Sequence, residues 1–213
     1  MLLNITNGDY LNAKLAQENE GEFFPFREAM IQGEATYPIL DNRFIKARAK
    51  SLNVSAEFYK EKAKDVLELL LCHKRYSKIK LWFGKDTFCQ LNLLTLLAYL
   101  EQIYYVGEIE IVIIDDETGN TLQSDIKVVL GQYSAIYKAI LMSKQMGTEL
   151  GVIDRHAIEL YFDYLSLDGY LANLIKENSN LDDNQLLVLL LESSKEYGLS
   201  DLNIKELISR VKI

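Results

Sequence analysis

The sequence has few of the residues on which disulfide-rich and zinc-binding proteins depend. Only two cysteines, Cys72 and Cys89, and two histidines, His73 and His156, occur in 213 residues. So few cysteines are typical of reduced thiols in a cytoplasmic protein rather than of a disulfide framework. The cysteines and histidines also lack the spacing of zinc ligands. We therefore expect free thiols, a cytoplasmic location and no zinc site.

Long apolar runs and an excess of positive charge are missing as well. No stretch reaches the roughly 20 apolar residues of a membrane span. The opening MLLNITNGDY lacks the basic and apolar segments of a secretory signal, so we expect no membrane partner. The chain has 31 acidic and 23 basic residues, which gives a formal net charge of −8. Such a chain repels a phosphate backbone at long range, so we expect no nucleic-acid partner either.

One basic segment stands out against this background, NRFIKARAK at residues 42–50. Its cationic side chains are Arg43, Lys46, Arg48 and Lys50. They could form a local basic patch, but the overall charge favours a solvated helix face. A DNA-binding helical pair in LDDNQLLVLLLESSKEYGLSDLNIKELI fails on charge, because acidic residues outnumber basic ones there.

Over the first 130 residues, apolar runs alternate with helical spacings. Buried strands are predicted for LLNITN, KIKLWFG and EIEIVII, an edge strand for EFFPF because it contains Pro25, and a last strand for IKVVL. Helices are predicted for YLNAKLAQE, for one segment from Ser55 to Tyr76, and for a segment after Asp86 that is apolar on nearly every face. The alternation predicts an α/β fold with a mainly parallel, Rossmann-like sheet flanked by helices.

The predicted helix from Ser55 to Tyr76 has an amphipathic pattern. Ser55 is the expected N-cap. The expected apolar face consists of Phe58, Ala63, Val66, Leu69 and Leu70.

From Gln132 onward the apolar spacing is helical throughout. The sequence therefore predicts an α/β core domain at residues 1–130 and a helical C-terminal region at residues 131–213. That region could be a separate domain or a lid on the core. We expect Tyr161, Tyr164 and Tyr170 to be exposed, and these helices could pack on the core or form the face of a homodimer.

Polar turns follow three of the predicted strands. They are Asn7-Gly8-Asp9, Gly84-Lys85-Asp86 and Asp115-Asp116. Ligands of parallel α/β sheets bind outside the carboxyl ends of the strands, so these turns predict a ligand crevice. Asp86 and Gln90 lie four residues apart and share a helix face near it. A buried amide needs partners, which a ligand or water in the crevice could supply.

A purely structural interpretation of these polar residues is also open. Asp86 would be a helix N-cap and Asp9 a turn residue, while Gln90 and Asn92 would bond to nearby backbone. Stronger functional motifs are absent. WFGKDT resembles the end of a phosphate-binding P-loop, but Ile79 stands where that loop needs glycine and Asp86 where it needs serine or threonine. No dinucleotide fingerprint and no serine-hydrolase elbow occurs.

Three segments, NITNGDYLNAKL, GEFFPFREAMIQGEA and LWFGKDTFCQLNLLTLLAYL, resemble the bacterial family filed as domain of unknown function 1835. That family shows a first strand ending in Gly-Asp, then Gly…(aromatic)-Arg-(Asp/Glu)…Gly, then Trp-Phe-x-x-Asp-x-(aromatic)-x-Gln. The likeness covers about the first 100 residues. It implies that one crevice is lined by Asp9, Arg27, Glu28, Asp86 and Gln90. Many relatives carry histidine where Asn4 and Lys85 stand and proline where Glu34 stands, so proton transfer through those histidines would be lost here.

Two functions are consistent with these observations. In the first, a small anionic ligand, a nucleotide or another phosphorylated compound, binds at the strand ends, and the protein could be a hydrolase or transferase. Arg27 would pair with phosphate or carboxylate, and Gln90 would orient the ligand. Asp9 and Asp86 would hold a divalent metal or bind hydroxyls, although no cofactor is identified. In the second, the chain is a non-catalytic interaction or regulatory module with a closed, self-satisfied polar cluster.

Overall fold

The computed structural model describes residues 1–115 and 118–212, apart from the side chains of residues 69–71 and 73. Four residues named above therefore lie outside the described part in whole or in side chain: Asp116 of the third predicted turn, Leu69 and Leu70 of the predicted helix face, and His73. Among the described residues, no helix has the length and apolar character needed to cross a membrane.

The sheet has five strands in the order β2-β1-β3-β4-β5. They are β1 (Leu2–Asn7), β2 (Glu22–Phe26), β3 (Lys78–Phe83), β4 (Glu108–Ile114) and β5 (Thr121–Val128). The first four are parallel and β5 pairs antiparallel with β4. This confirms the predicted α/β fold and its mainly parallel sheet. Pro25 lies in the edge strand β2, as predicted, where a strand has a neighbour on one side only.

Helices connect the parallel strands and form most of the chain after β5. They are α1 (Asp9–Leu15), α2 (Asn42–Ser51), α3 (Ala56–Lys62), α4 (Lys64–Cys72), α5 (Thr87–Gln102), α6 (Tyr133–Tyr137), α7 (Arg155–Leu165), α8 (Tyr170–Glu177), α9 (Asp183–Ser193) and α10 (Asp201–Val211). A π-helical turn, Lys138–Met142, continues α6. The helical C-terminal region is confirmed.

The sheet has two unequal faces because its side chains alternate. One face carries Ile5, Leu81 and Ile111 into the main core, which also contains α5 and the C-terminal helices. The other face is covered by α1 through a small cluster that includes Leu11 and Trp82. Residues on both sides of position 130 therefore share one apolar core.

Helix α5 is the centre of the main core. Its residues from Cys89 to Leu100 are all buried, as its apolar pattern predicts. Helices α6 and α7 pack against it. This packing also explains a wrong prediction, because Tyr161 and Tyr164 on α7 are buried in the core and only Tyr170 is exposed.

The sequence predicts one helix from Ser55 to Tyr76, and this prediction is wrong. Ser55 does cap it, since its side chain accepts from the N–H of Phe58 at 3.1 Å. The helix breaks at Ala63 into α3 and α4, and a 3-10 turn, His73–Arg75, follows. Phe58, predicted on the buried face, is 52% exposed, because α3 directs the neighbouring Tyr59 into the core instead.

Candidate functional site

Two crevices, rather than one, lie at the carboxyl ends of the parallel strands. The first, here the Arg27 crevice, has a volume of about 380 Å³ and is lined by Asn7, Gly8, Asp9, Phe26, Arg27, Glu28, Leu52, Val54, Phe58, Tyr59, Lys62 and Phe88. The second, here the Asp86 crevice, has a volume of about 360 Å³ and is lined by Lys85, Asp86, Ile114, Asp115, Leu122, Asp154, His156, Ala157, Leu160, Lys195 and Glu196. Asp9, Arg27 and Glu28 thus come together, and Asp86 lies apart from them.

Gly8 sets the position of Asp9 at the end of β1. It has φ +89°, which an L side chain rarely adopts. Its N–H donates to the carbonyl oxygens of Thr6 at 3.0 Å and of Phe26 at 3.1 Å, which holds the ends of β1 and β2 together. Because Arg27 follows Phe26 directly, this turn brings Asp9 to the guanidinium.

Arg27 is held by two carboxylates at the mouth of its crevice. Its Nε donates to Asp9 Oδ1 at 2.8 Å and Oδ2 at 3.1 Å. Its Nη1 donates to Asp65 Oδ2 at 2.7 Å and to the carbonyl of Lys62 at 3.1 Å, at the break between α3 and α4. Burial alone would lower the pKa of Arg27, but the hydrogen bonds and charges of Asp65 and Asp9 raise it. Among the described residues nothing bonds to Nη2.

Glu28 forms the buried end of the same crevice. Its Oε1 accepts from Arg48 Nε at 3.1 Å and Nη2 at 2.8 Å, and its Oε2 accepts from the Tyr59 hydroxyl. Arg48 is 0% exposed, so the prediction of a solvated basic face on residues 42–50 is wrong at this position. Arg43, Lys46 and Lys50 are exposed, as predicted. Arg48 is buried because it follows Phe44 by four residues on the inward side of α2.

Asp86 serves as the N-cap of α5. Its Oδ1 accepts from the N–H of Cys89 at 2.9 Å, which is the structural role proposed for it from the sequence. Asp154 caps α7 in the same way across the crevice. Of the other titratable groups in this crevice, Asp115 is half-buried, whereas Lys85, Lys195 and the His156 to Glu196 pair at 3.6 Å are exposed.

Gln90 and Asn92 are buried structural amides that line neither crevice. Gln90 Nε2 donates to the carbonyl of Gly84 at 2.7 Å, and its Oε1 accepts from the N–H of Asp154 at 3.0 Å. Gln90 thereby joins the end of β3 to the start of α7. Asn92 accepts from the N–H of Met30 at 3.1 Å and donates to the carbonyl of Glu28 at 2.6 Å. The alternative that these amides are satisfied by backbone is what the structure shows.

The geometry does not support joint metal binding by Asp9 and Asp86, because they line different crevices. No group of three or more potential metal-binding side chains occurs within residues 1–115 and 118–212.

Sequence reasoning missed several residues of the Arg27 crevice, namely Phe58, Tyr59, Lys62 and Phe88. Phe58 and Lys62 are four residues apart on α3, which places them on one helix face. The spacing of Phe58 and Lys62 predicts their shared helix face. It does not predict that this face lines the crevice, because that depends on the position of α3 beside the end of β2.

No protein-family model, no curated protein and no solved structure matches the chain. The resemblance to the family filed as domain of unknown function 1835 therefore stays a prediction.

Proposed function

We propose that the protein binds a small anionic ligand, a nucleotide or another phosphorylated compound, in the Arg27 crevice. The observation that carries this proposal is a free guanidinium edge beside an apolar wall. Binding sites for small molecules are typically concave, mostly apolar and furnished with a few polar groups that fix orientation. The crevice has this composition.

The apolar wall consists of Phe26, Leu52, Val54, Phe58 and Phe88. Phe58 is among the large apolar side chains that the fold leaves exposed. An exposed aromatic side chain at the mouth of a crevice offers a flat surface to a planar group of a ligand. We therefore expect the ligand to have a planar or apolar body as well as its charge.

Two cationic groups can meet the anion. Arg27 Nη2 has no partner among the described residues, and neither has the ammonium of Lys62 an ion-pair partner among them. The Lys62 Nζ lies 5.6 Å from the centre of the Phe58 ring, so it stands at the edge of the apolar wall. Asp9 keeps the Arg27 fork oriented and is itself 65% exposed in its side chain, so water screens its charge from the anion.

The enzymatic form of this proposal is a hydrolase or transferase acting on a phosphorylated compound. Binding is the part that the geometry supports, through Arg27 and Lys62 at the mouth. A catalytic base would have to come from Asp9 or Glu28, the carboxylates that line the crevice.

The interaction module remains the second candidate, and a different surface favours it. Tyr104, Val106 and Val129 are strongly exposed at the opposite end of the sheet, beside the start of β4 and the end of β5. Large exposed apolar patches mark interaction sites. One observation argues against this candidate. It predicts a polar cluster that is both self-satisfied and closed, and the ion pairs do satisfy one another, but an open crevice lies beside them. Sedimentation of the wild type and of Val106→Ser tests it, and a dimer lost in the variant would support it.

The binding test uses thermal shift and titration calorimetry with nucleotides, sugar phosphates and inorganic phosphate. Ligand at 100 times its dissociation constant stabilises a fold by about 2.7 kcal/mol. Lys62→Gln should weaken binding by roughly five- to tenfold, because one charge-assisted contact is lost. Lys60→Gln is the matched control, since it makes the same charge change on the same helix outside the crevice.

Arg27→Gln should weaken binding at least as much, and circular dichroism checks that it folds. Two results would contradict the proposal. One is a blank screen, and the other is a ligand whose affinity is unchanged in both Lys62→Gln and Arg27→Gln.

A further inference from the structure

The buried end of the Arg27 crevice offers a hydrogen-bond acceptor. Glu28 is 7% exposed, yet it lines the crevice. Its two carboxylate oxygens are used unequally. Oε1 accepts three hydrogen bonds, from the N–H of Ala29 at 2.9 Å and from two nitrogens of Arg48. Oε2 accepts one within the described part of the chain, from the Tyr59 hydroxyl.

The less occupied oxygen is the one whose partner lines the crevice. Tyr59, which bonds to Oε2, lines the crevice, whereas Arg48, which bonds to Oε1, does not. An ionised carboxylate has about four acceptor positions, so Oε2 can accept one further donor. The side chains that bond to Glu28, those of Arg48 and Tyr59, are both donors, so its carboxylate acts here as an acceptor.

Tyr59 offers no donor to a ligand at the buried end of the crevice, because its hydroxyl already donates to Glu28. Burial raises the pKa of the Tyr59 hydroxyl well above its ordinary value, and the charge of Glu28 and the hydrogen bond to it raise this pKa further. The hydroxyl therefore stays protonated and directed at Glu28. The buried end of the crevice thus favours a ligand group that donates a hydrogen bond. A ligand carbonyl at this position is disfavoured, because it would face the Glu28 carboxylate.

We infer that the ligand is a nucleoside monophosphate whose base carries an exocyclic amino group, and that Glu28 Oε2 accepts from that group. This inference rests on the proposed function. The phosphate lies at the mouth, against Arg27 and Lys62, and the base packs on the wall that includes Phe58 and Phe88. Glu28 is then a specificity-determining residue, because a base without the amino group leaves its buried oxygen without a second donor.

Titration calorimetry with two matched nucleotides tests the inference. Adenosine 5′-monophosphate carries the 6-amino group, and purine riboside 5′-monophosphate differs only in lacking it. The wild type should bind the first at least about tenfold more tightly than the second. Lys62→Gln should weaken both equally, because the phosphate is common to them.

Two variants assign the preference to Glu28. In Glu28→Gln, Arg48 takes the amide oxygen and an NH2 donor replaces Oε2, so the preference for the amino nucleotide should disappear. If that variant does not fold, Tyr59→Phe decides, because it keeps the Arg48 pair and removes the competing donor from Oε2. The preference should then be at least as large as in the wild type.

The outcomes separate the inference from the proposed function. Equal affinities for the two nucleotides, or binding of another anion while neither nucleotide binds, would overturn the inference and leave the proposed function standing. A preference that survives Glu28→Gln, or one that is lost in Tyr59→Phe, would also overturn it. If no anion in the screen binds, both fail.

Discussion

Replacing Arg48 by methionine should be among the most destabilising single changes in this chain. The guanidinium is fully buried, and all five of its N–H donors have acceptors. Two donate to Glu28, and the others to the carbonyls of Ala29 at 2.8 Å, Gln32 at 2.6 Å and Glu34 at 3.4 Å. Methionine fills similar space but supplies none of these donors.

The cost of Arg48→Met comes mainly from the carboxylate that is left behind. Removing one partner of a buried ion pair typically costs about 3–5 kcal/mol, because an uncompensated charge stays buried. We expect the upper half of that range, since three backbone carbonyls also lose a donor. Adding Glu28→Gln removes the buried charge while an acceptor remains for Tyr59. The double variant should therefore be more stable than Arg48→Met alone.

Urea unfolding measures these differences, and Trp82, the single tryptophan, reports on them from the middle of the sheet. Arg43→Met is the matched control, because it makes the same substitution on an exposed position of α2 and should change stability by less than about 0.5 kcal/mol. The reasoning is refuted if Arg48→Met costs less than about 1 kcal/mol, or if Glu28→Gln makes it worse.

Three further predictions concern other polar contacts. Asp86→Ala should cost about 0.5–2 kcal/mol in urea unfolding through loss of the α5 cap, whereas Asp86→Ser should retain most of the stability. Gln90→Leu should cost about 1–3 kcal/mol per unpaired group, since Gly84 and Asp154 both lose their partner, and it should not change ligand affinity in the Arg27 crevice. Burial alone would raise the pKa of Glu101, but backbone N–H donors at the start of α6 lower it. The contribution of Glu101 to the free energy of unfolding is therefore fully present above its unfolded pKa of about 4.3 and is lost as pH falls through its folded pKa. Lowering the pH should therefore destabilise the wild type more steeply than Glu101→Gln.

Local patterns in the sequence predict most of the fold. The strands β1, β3 and β4, the edge position of β2 and the complete burial of α5 follow from apolar runs, one proline and helical spacing. These features depend on neighbours along the chain, which the sequence displays directly. The antiparallel direction of β5 depends on a short connection from β4. The strand predicted at IKVVL overlaps β5 only at residues 126–128.

The errors arise where distant segments decide the environment of a residue. Arg48 looks like one of four similar cations in a basic segment, and only the folded chain shows that it faces inward and pairs with Glu28. Tyr161 and Tyr164 look exposed until α7 packs on α5. Phe58 looks buried until the packing of α3 is seen to bury Tyr59 instead. In each case the local pattern is ambiguous and tertiary packing settles it.

The division of the predicted site into two crevices has a physical cause at the switch point of the sheet. In the strand order β2-β1-β3-β4, the order reverses between β1 and β3, where a ligand would ordinarily bind. Here the protein fills that position with its own polar side chains. Asn7 donates to Cys89 Sγ at 2.8 Å and accepts from Asn92 Nδ2 at 3.0 Å. This bridge joins the end of β1 to α5, and the two crevices lie on either side of it, one beside β2 and one beside β4. Arg27 and Glu28 lie on the β2 side, which is why the Arg27 crevice, rather than the switch point itself, offers both a free cationic edge and a buried acceptor.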